Sequence, residues 1–361
     1  MDYQPMQSES TLPAEALGLE RTAKGPLVLL FYDGFDHKAR RGWIGRTYSA
    51  AHRFARRFNN LRRRKQMHSG FYAAFLSLQR SLHLLGCDVR VNDFEAAEAR
   101  PGYPVGLCGY PSVLDVLASD NPAIFGHGDV GPSERARQVA EQQRLCLIIQ
   151  PCAWAVEYNR PIWGDRLRAW PVGIEAPKLA DVLKDLDFVV YDKIRWHREE
   201  RETTVRDALL AKLDAAGLKY EVLRYGAHME TDYLALLARS RGLLFLCEHE
   251  TQGIACQLAM AAGVPVLAWD EGRLVDPTLL REAPDLIVTS VPYFDDRCGL
   301  RFKLADFDRA LSSYLANRAN YDPASYVAEN LSMRKSGEEY LRMYASLSGS
   351  QPRLRPAGET P

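Results

Sequence analysis

The sequence predicts an α/β protein of two Rossmann-like αβ domains facing a central cleft, and three observations carry that expectation. Strand-like apolar segments alternate with helix-like ones along most of the chain, the pattern of parallel sheets covered by helices. The 361 residues are too many for one ordinary core. The alternation breaks at Gly173–Pro177 and restarts at Asp187.

In order, residues 1–24 are polar and aperiodic and read as a disordered tail, as does the Pro-, Gly- and Ser-rich stretch 348–361. The first domain, 25–174, opens on PLVLLFY. A long helical region follows, then the apolar segments CDVRV, PVGLCGY, PAIFGH, CLIIQP and LRAWPVG. The second domain, 175–334, offers DFVVYDK, KYEVLRYG, GLLFLC, VPVLAWD and DLIVTS as strands. A last amphipathic stretch, 335–347, places Tyr340, Leu341 and Tyr344 on one face.

Lysine plus arginine equals aspartate plus glutamate, 46 each, which argues against a general nucleic-acid binder. No apolar run approaches a membrane span, and the first residues lack the basic and apolar regions of a signal peptide, so a cytoplasmic location is expected. The seven cysteines are dispersed, without CxxC or metal spacing, and read as reduced core residues. In the basic region 53–65, Phe54 and Phe58 interleave with Arg53, Arg56, Arg57, Arg62, Arg63, Arg64 and Lys65. Such a helix docks an anionic membrane surface or acceptor, or is a solvated face.

The most informative stretch is Leu243–Gly272, LLFLCEHETQGIACQLAMAAGVPVLAWDEG. It reads as a strand, a polar loop carrying Glu248, His249 and Glu250, a helix opening at Gly253 with Thr251 or Gln252 near its N-cap, and a strand after Pro265. Small residues in the first helical turn leave the N–H groups of Gly253, Ile254 and Ala255 facing outward as a phosphate site. Gly126-His127-Gly128-Asp129-Val130-Gly131 also fits GxGxxG. It follows the wrong strand for a dinucleotide site, precedes Pro132, and lacks a downstream acidic residue for a ribose.

Glu250, Gly253, Ala259-Met260-Ala261 and Pro265-Val266 keep the spacing of the signature of retaining GT-B glycosyltransferases, group 1 or family 4-like, which this stretch resembles. The signature's second Glu is Leu258 here, with Gln257 and Glu248 as nearby polar residues. The resemblance implies transfer of a sugar from a UDP-, GDP- or ADP-sugar with retention. It implies a hexosyltransferase-like, metal-independent enzyme with no cofactor beyond that co-substrate. The acceptor is open, a glycan or lipid-linked molecule among the options.

The resemblance also implies roles. Glu250 lies near the transferred sugar, and His127 lines its pocket. Lys193 and Arg198 keep the spacing of the diphosphate-binding Arg and Lys with the types exchanged, Arg195 lying between them. Arg224 and Tyr225 frame the base or diphosphate, and Asp33 with Gly34 face the acceptor. The terminal helix crosses back to the first domain. Alternatives from other classes are a non-catalytic GT-B module binding a nucleotide sugar or a protein partner, and a nucleotide-sugar epimerase. Peripheral contact with the inner membrane surface through region 53–65 is a further expectation.

Overall fold

The computed structural model describes residues 17–62, 68–117, 119–128, 131, 134–142 and 144–348. Arg63, Arg64, Lys65, Asp129, Val130, Pro132 and most of both expected tails lie outside them. The first sheet contains β1 (Arg21–Thr22), β2 (Gly25–Asp33), β3 (Asp88–Val91), β4 (Val105–Gly109), β5 (Ala123–Gly128), β6 (Leu145–Gln150) and β7 (Leu167–Ala169). Its order is β3-β2-β4-β5-β6-β7, all parallel, with β1 antiparallel to the first residues of β2. Thus Arg21 and Thr22, expected in a disordered tail, are paired because Gly25 and Pro26 offer them a strand edge.

The second sheet holds β8 (Phe188–Asp192), β9 (Tyr220–Arg224), β10 (Leu243–Leu246), β11 (Val266–Trp269) and β12 (Gly299–Phe302) in the parallel order β12-β11-β10-β8-β9. The two sheets share no strand among the described residues, as two Rossmann-like layers require.

Both sheets are buried on both faces, which is why their central strands are continuously apolar instead of alternating. Leu27, Leu29 and Phe31 of β2 enter one core, while Val28, Leu30 and Tyr32 enter the core on the opposite face. Likewise Val189 and Tyr191 of β8 face one way and Phe188 and Val190 the other. One segment departs from expectation. DLIVTS forms no extended strand; Ile287 is exposed, and Thr289 and Ser290 hydrogen-bond to Asp270. The fifth strand is instead β12, whose GLRF sequence is short and mixed in character. Gly299 is required there: at φ 133°, a Cβ would fall 1.9 Å from the Val266 carbonyl oxygen.

Of the helices that cover the sheets, those that hold the site and its surroundings are α1 (Gly42–Arg62), α2 (Gly70–Leu84), α3 (Ala153–Trp163), α4 (Ile254–Ala261) and α5 (Met333–Ala345). The chain passes from one sheet to the other after Trp170 and returns before α5. The passages run side by side, with Ile174 bridging to Ser332 and its N–H donating to the Leu331 carbonyl. Ser332 caps α5 through the Lys335 N–H, and α5 packs on α2, where Gly337 lies against Ser81 and Leu85.

Tyr344 fastens α5 to the first sheet. Its buried hydroxyl donates to the Pro104 carbonyl at 2.5 Å and accepts the Leu29 N–H at 2.9 Å. Tyr344→Phe leaves both groups without that partner in a dry interior, so it is expected to cost about 1–3 kcal/mol. An unchanged melting temperature would show that these bonds contribute nothing net.

Candidate functional site

In each sheet the chain leaves its first strand in one direction and later crosses to the other side, creating a crevice at the carboxyl ends where such folds bind ligands. In the second sheet this point lies between β8 and β10. Lys193 immediately follows β8, and the loop after β10 carries Glu248, His249 and Glu250, all nine-tenths or more buried.

Lys193 and Glu250 form a direct, largely buried ion pair, with the ammonium also 4.5 Å from the Tyr225 ring centroid. Burial alone would lower the Lys193 pKa. The Glu250 carboxylate, with Cys247 and Tyr225, outweighs burial and holds the pKa above the ordinary lysine range. The Glu250 backbone is fixed as well: its N–H donates to the Thr289 carbonyl and its carbonyl accepts Trp154 Nε1–H at 2.8 Å. DLIVTS therefore serves the site as an irregular segment.

Glu248 braces the opposite loop. Its carboxylate accepts the N–H groups of Arg195 and Trp196 at 3.1–3.2 Å and pairs with Arg201 at 3.2 Å. This leaves Arg195 exposed over the Trp196 ring at 4.6 Å, without an acidic partner among the described residues. Trp196 stacks on His249 at 4.4 Å, and Trp154 approaches the same imidazole edge-on. Burial depresses the His249 pKa to about 4, and its buried Nε2 has no hydrogen-bond partner among the described residues.

Arg198 differs from the expectation of a cation available to a diphosphate. Its Nε reaches Glu202 at 2.5 Å, Nη1 reaches Asp192 at 2.8 Å and the Ile194 carbonyl at 2.9 Å, and Nη2 reaches Asp192 at 2.5 Å. The charge is neutralised inside the protein because Asp192, at the end of β8 and 1% exposed, needs a partner. Strand burial made Asp192 look like part of a hydrophobic run, and sequence reading missed it. Arg224 is exposed at the end of β9.

Gly253 itself is the N-cap of α4, with φ 79°, and Thr251 and Gln252 directly precede it. Thr251 is exposed, and the Gln252 amide makes two bonds to the Val172 backbone. Gln257 is also turned inward, onto Gln252. The N–H groups of Ile254 and Ala255 have no acceptor among the described residues. Leu258 packs against the apolar core of that face.

From the first sheet, His127 is buried and stacked on Trp170 at 5.2 Å. It donates Nε2–H to the Trp170 carbonyl at 2.7 Å, so the neutral ring keeps Nδ1 as its acceptor. Burial lowers its pKa to about 4. Two residues past Trp170, Val172 meets Gln252, which joins His127 to the Glu250 loop through one short segment.

Gly126 and Gly128 have a packing reason: a Cβ would lie 2.4 Å from the Ile149 oxygen and 2.3 Å from the Gly109 oxygen respectively. Asp33 and Gly34 sit at the first sheet's own switch point. Asp33 accepts the Ala39 N–H at 2.9 Å and the Ser112 hydroxyl at 2.5 Å, and it lines a cavity of about 760 Å³ with Lys38, Ile44, Tyr48 and Ser112. The Gly34 N–H donates to the His37 carbonyl at 2.9 Å.

Among solved structures, the chain is similar to a sucrose-phosphate synthase from Thermosynechococcus elongatus, with a TM-score of 0.55 and 13% identity over 89% of this chain and 99% of that one. This is the GT-B fold. A second structure of similar extent is Alr3699/HepE from Anabaena in complex with UDP-glucose, with a TM-score of 0.47 and 12% identity over 88% of this chain and 99% of that one. No family model and no curated protein matches the chain. In the GT-B arrangement the Lys193–Glu250 pair, Arg195 and the start of α4 lie at the carboxyl edge of the second sheet. Trp154 reaches the Glu250 loop from the first sheet's side, and His127 is linked to it through Trp170, Val172 and Gln252.

Proposed function

We propose that the protein transfers a sugar from a nucleotide-diphosphate-sugar to an acceptor with retention of anomeric configuration. The observation that carries this reading is the buried Lys193–Glu250 pair beside Arg195 and the unsatisfied N–H groups that open α4. Breaking the anomeric C–O bond leaves negative charge on the departing β-phosphate. Fixed cations and helix N-terminal N–H groups stabilise that charge without reorganising. Lys193 and Arg195 supply the cations, Ile254 and Ala255 the N–H groups, and Arg224 with Tyr225 frames the nucleotide. Glu250 faces the sugar, where its carboxylate accepts hydroxyl hydrogen bonds and favours an oxocarbenium-like transition state. His127 contributes through Nδ1, and the Asp33–Gly34 turn faces the acceptor. Arg198 and Glu248 act by holding the loop that carries Lys193 and Arg195. The reading needs no metal, so chelation is expected to leave turnover unchanged.

Arg195→Ala is expected to weaken donor binding about tenfold with little change in melting temperature, because the side chain is exposed and its contact within the protein is an exposed one to the Trp196 ring. Lys193→Ala should lower both affinity and stability, since it strands a buried carboxylate. Calorimetric titration with UDP-, GDP- and ADP-sugars measures both; donor affinity unchanged in both variants would overturn the assignment.

A second reading, a nucleotide-sugar-binding module without turnover, is favoured by Leu258 packing into the core where the signature has its second Glu. Release of nucleoside diphosphate from bound donor, with or without acceptor, separates the two readings. The product anomer, read by NMR, tests retention.

A further inference from the structure

We propose that α1 docks the protein on an anionic lipid surface. At about 100° per residue, Trp43, Ile44, Tyr48, Phe54 and Phe58 fall within roughly 140° of the helix circumference. Trp43, Ile44, Phe54 and Phe58 are 72%, 65%, 75% and 63% exposed. Among the described residues thirteen large apolar side chains are exposed, and five of them are on this one helix, with Phe35 a sixth on the preceding loop. A scattered set would be ordinary; a stripe on one face is not.

The hydrogen bonds and ion pair that hold α1 come from the other side, while at one end of the stripe Tyr48 lies under the Arg40 guanidinium at 4.5 Å. Ser49 donates to the Lys38 carbonyl, Arg53 approaches His37 at 3.4 Å, and Arg56 pairs with buried Asp36 at 2.9 Å. By the same helical arithmetic these anchors lie roughly opposite the apolar stripe. The helix is therefore inside out for a water-soluble surface: its polar side is turned to the protein and its apolar side to the surroundings.

Charge selects the partner. The 21 residues of α1 contain five arginines and no acidic residue, in a chain whose charges otherwise cancel. Arg57 and Arg62 have no acidic partner among the described residues. An apolar stripe flanked by unneutralised cations matches the boundary between acyl chains and anionic headgroups. A second copy of this neutral chain, presenting the same basic helix, would bring like charges together. Ile44 and Tyr48 also line the cavity beside Asp33, so docking places that cavity at the lipid boundary.

The test is co-sedimentation of the full chain with vesicles of phosphatidylcholine alone or mixed equally with phosphatidylglycerol. Sedimentation with the mixed vesicles, weakened by salt, is expected. Each basic residue near such a surface strengthens partition about fivefold, so Arg57→Glu/Arg62→Glu should reduce it more than tenfold. Phe54→Ser/Phe58→Ser should also release the protein, and both variants should keep the parent melting temperature because these side chains are exposed. Wild-type protein that stays in the supernatant, or sediments equally with both vesicles, overturns the proposal. So does a concentration-dependent dimer dissociated by Phe54→Ser/Phe58→Ser in protein that ignores vesicles.

Discussion

Glu250→Gln is expected to lower turnover at saturating donor by about 10²–10³-fold, the scale of losing one preorganised electrostatic contact to the transition state. Donor affinity should change little, because only interactions strengthened in the transition state act on the chemical step. The ion pair with Lys193 complicates stability as a readout: the amide still accepts a hydrogen bond from the ammonium but no longer balances its charge. The melting temperature is therefore expected to fall whether or not Glu250 takes part in chemistry. Lys193→Met/Glu250→Gln isolates the stability effect, since removing both charges should restore much of the melting temperature; turnover in Glu250→Gln, which keeps Lys193, is the readout of chemistry. Full activity in Glu250→Gln would make the residue structural and remove the centre of the proposed mechanism.

The second large effect is acid sensitivity. His37, His127 and His249 are buried, and burial is the leading reason their pKa values fall from 6.5 to about 4, with Arg53 adding to the effect at His37. In the unfolded chain these rings take up protons near pH 6.5, whereas in the folded protein they stay neutral until about pH 4. Between those values the unfolded state binds more protons. The stability is fully present above pH 6.5, falls as pH drops towards 4, and loses nothing further from these groups below that.

All three shifts have the same sign, so their losses of stability on acidification add. Unfolding free energies from denaturant titrations between about pH 7.5 and 4.5 should fall steeply with acidification, and His127→Gln should reduce that slope by roughly one proton. A flat profile would mean that the three rings accept protons without unfolding.

The sequence carried the fold class because buried parallel strands write themselves as unbroken apolar runs. β2, β8, β10 and β11 were legible for that reason. The same logic misassigned DLIVTS, which is apolar because Val288 is buried beneath the site and not because it pairs in the sheet. It also missed β12, where only the closeness of β11 explains Gly299.

The site divides in the same way. Chain order alone put Glu250 three residues before Gly253, and put Lys193 and Arg195 at the end of a strand, since those are local spacings. Which charges remain available to a ligand is a question of neighbours. Arg198 is consumed by Asp192, Glu248 by the Arg195–Trp196 backbone, and Gln252 by Val172, across separations of 6, 53 and 80 residues. Helix α1 shows the point most plainly. Its sequence gave an amphipathic basic helix, but only the anchors at Asp36, His37 and Lys38 fix which face turns inward, and they leave the apolar one outside. Hydrophobic periodicity records that a helix has two faces; the tertiary contacts decide which of them meets the protein.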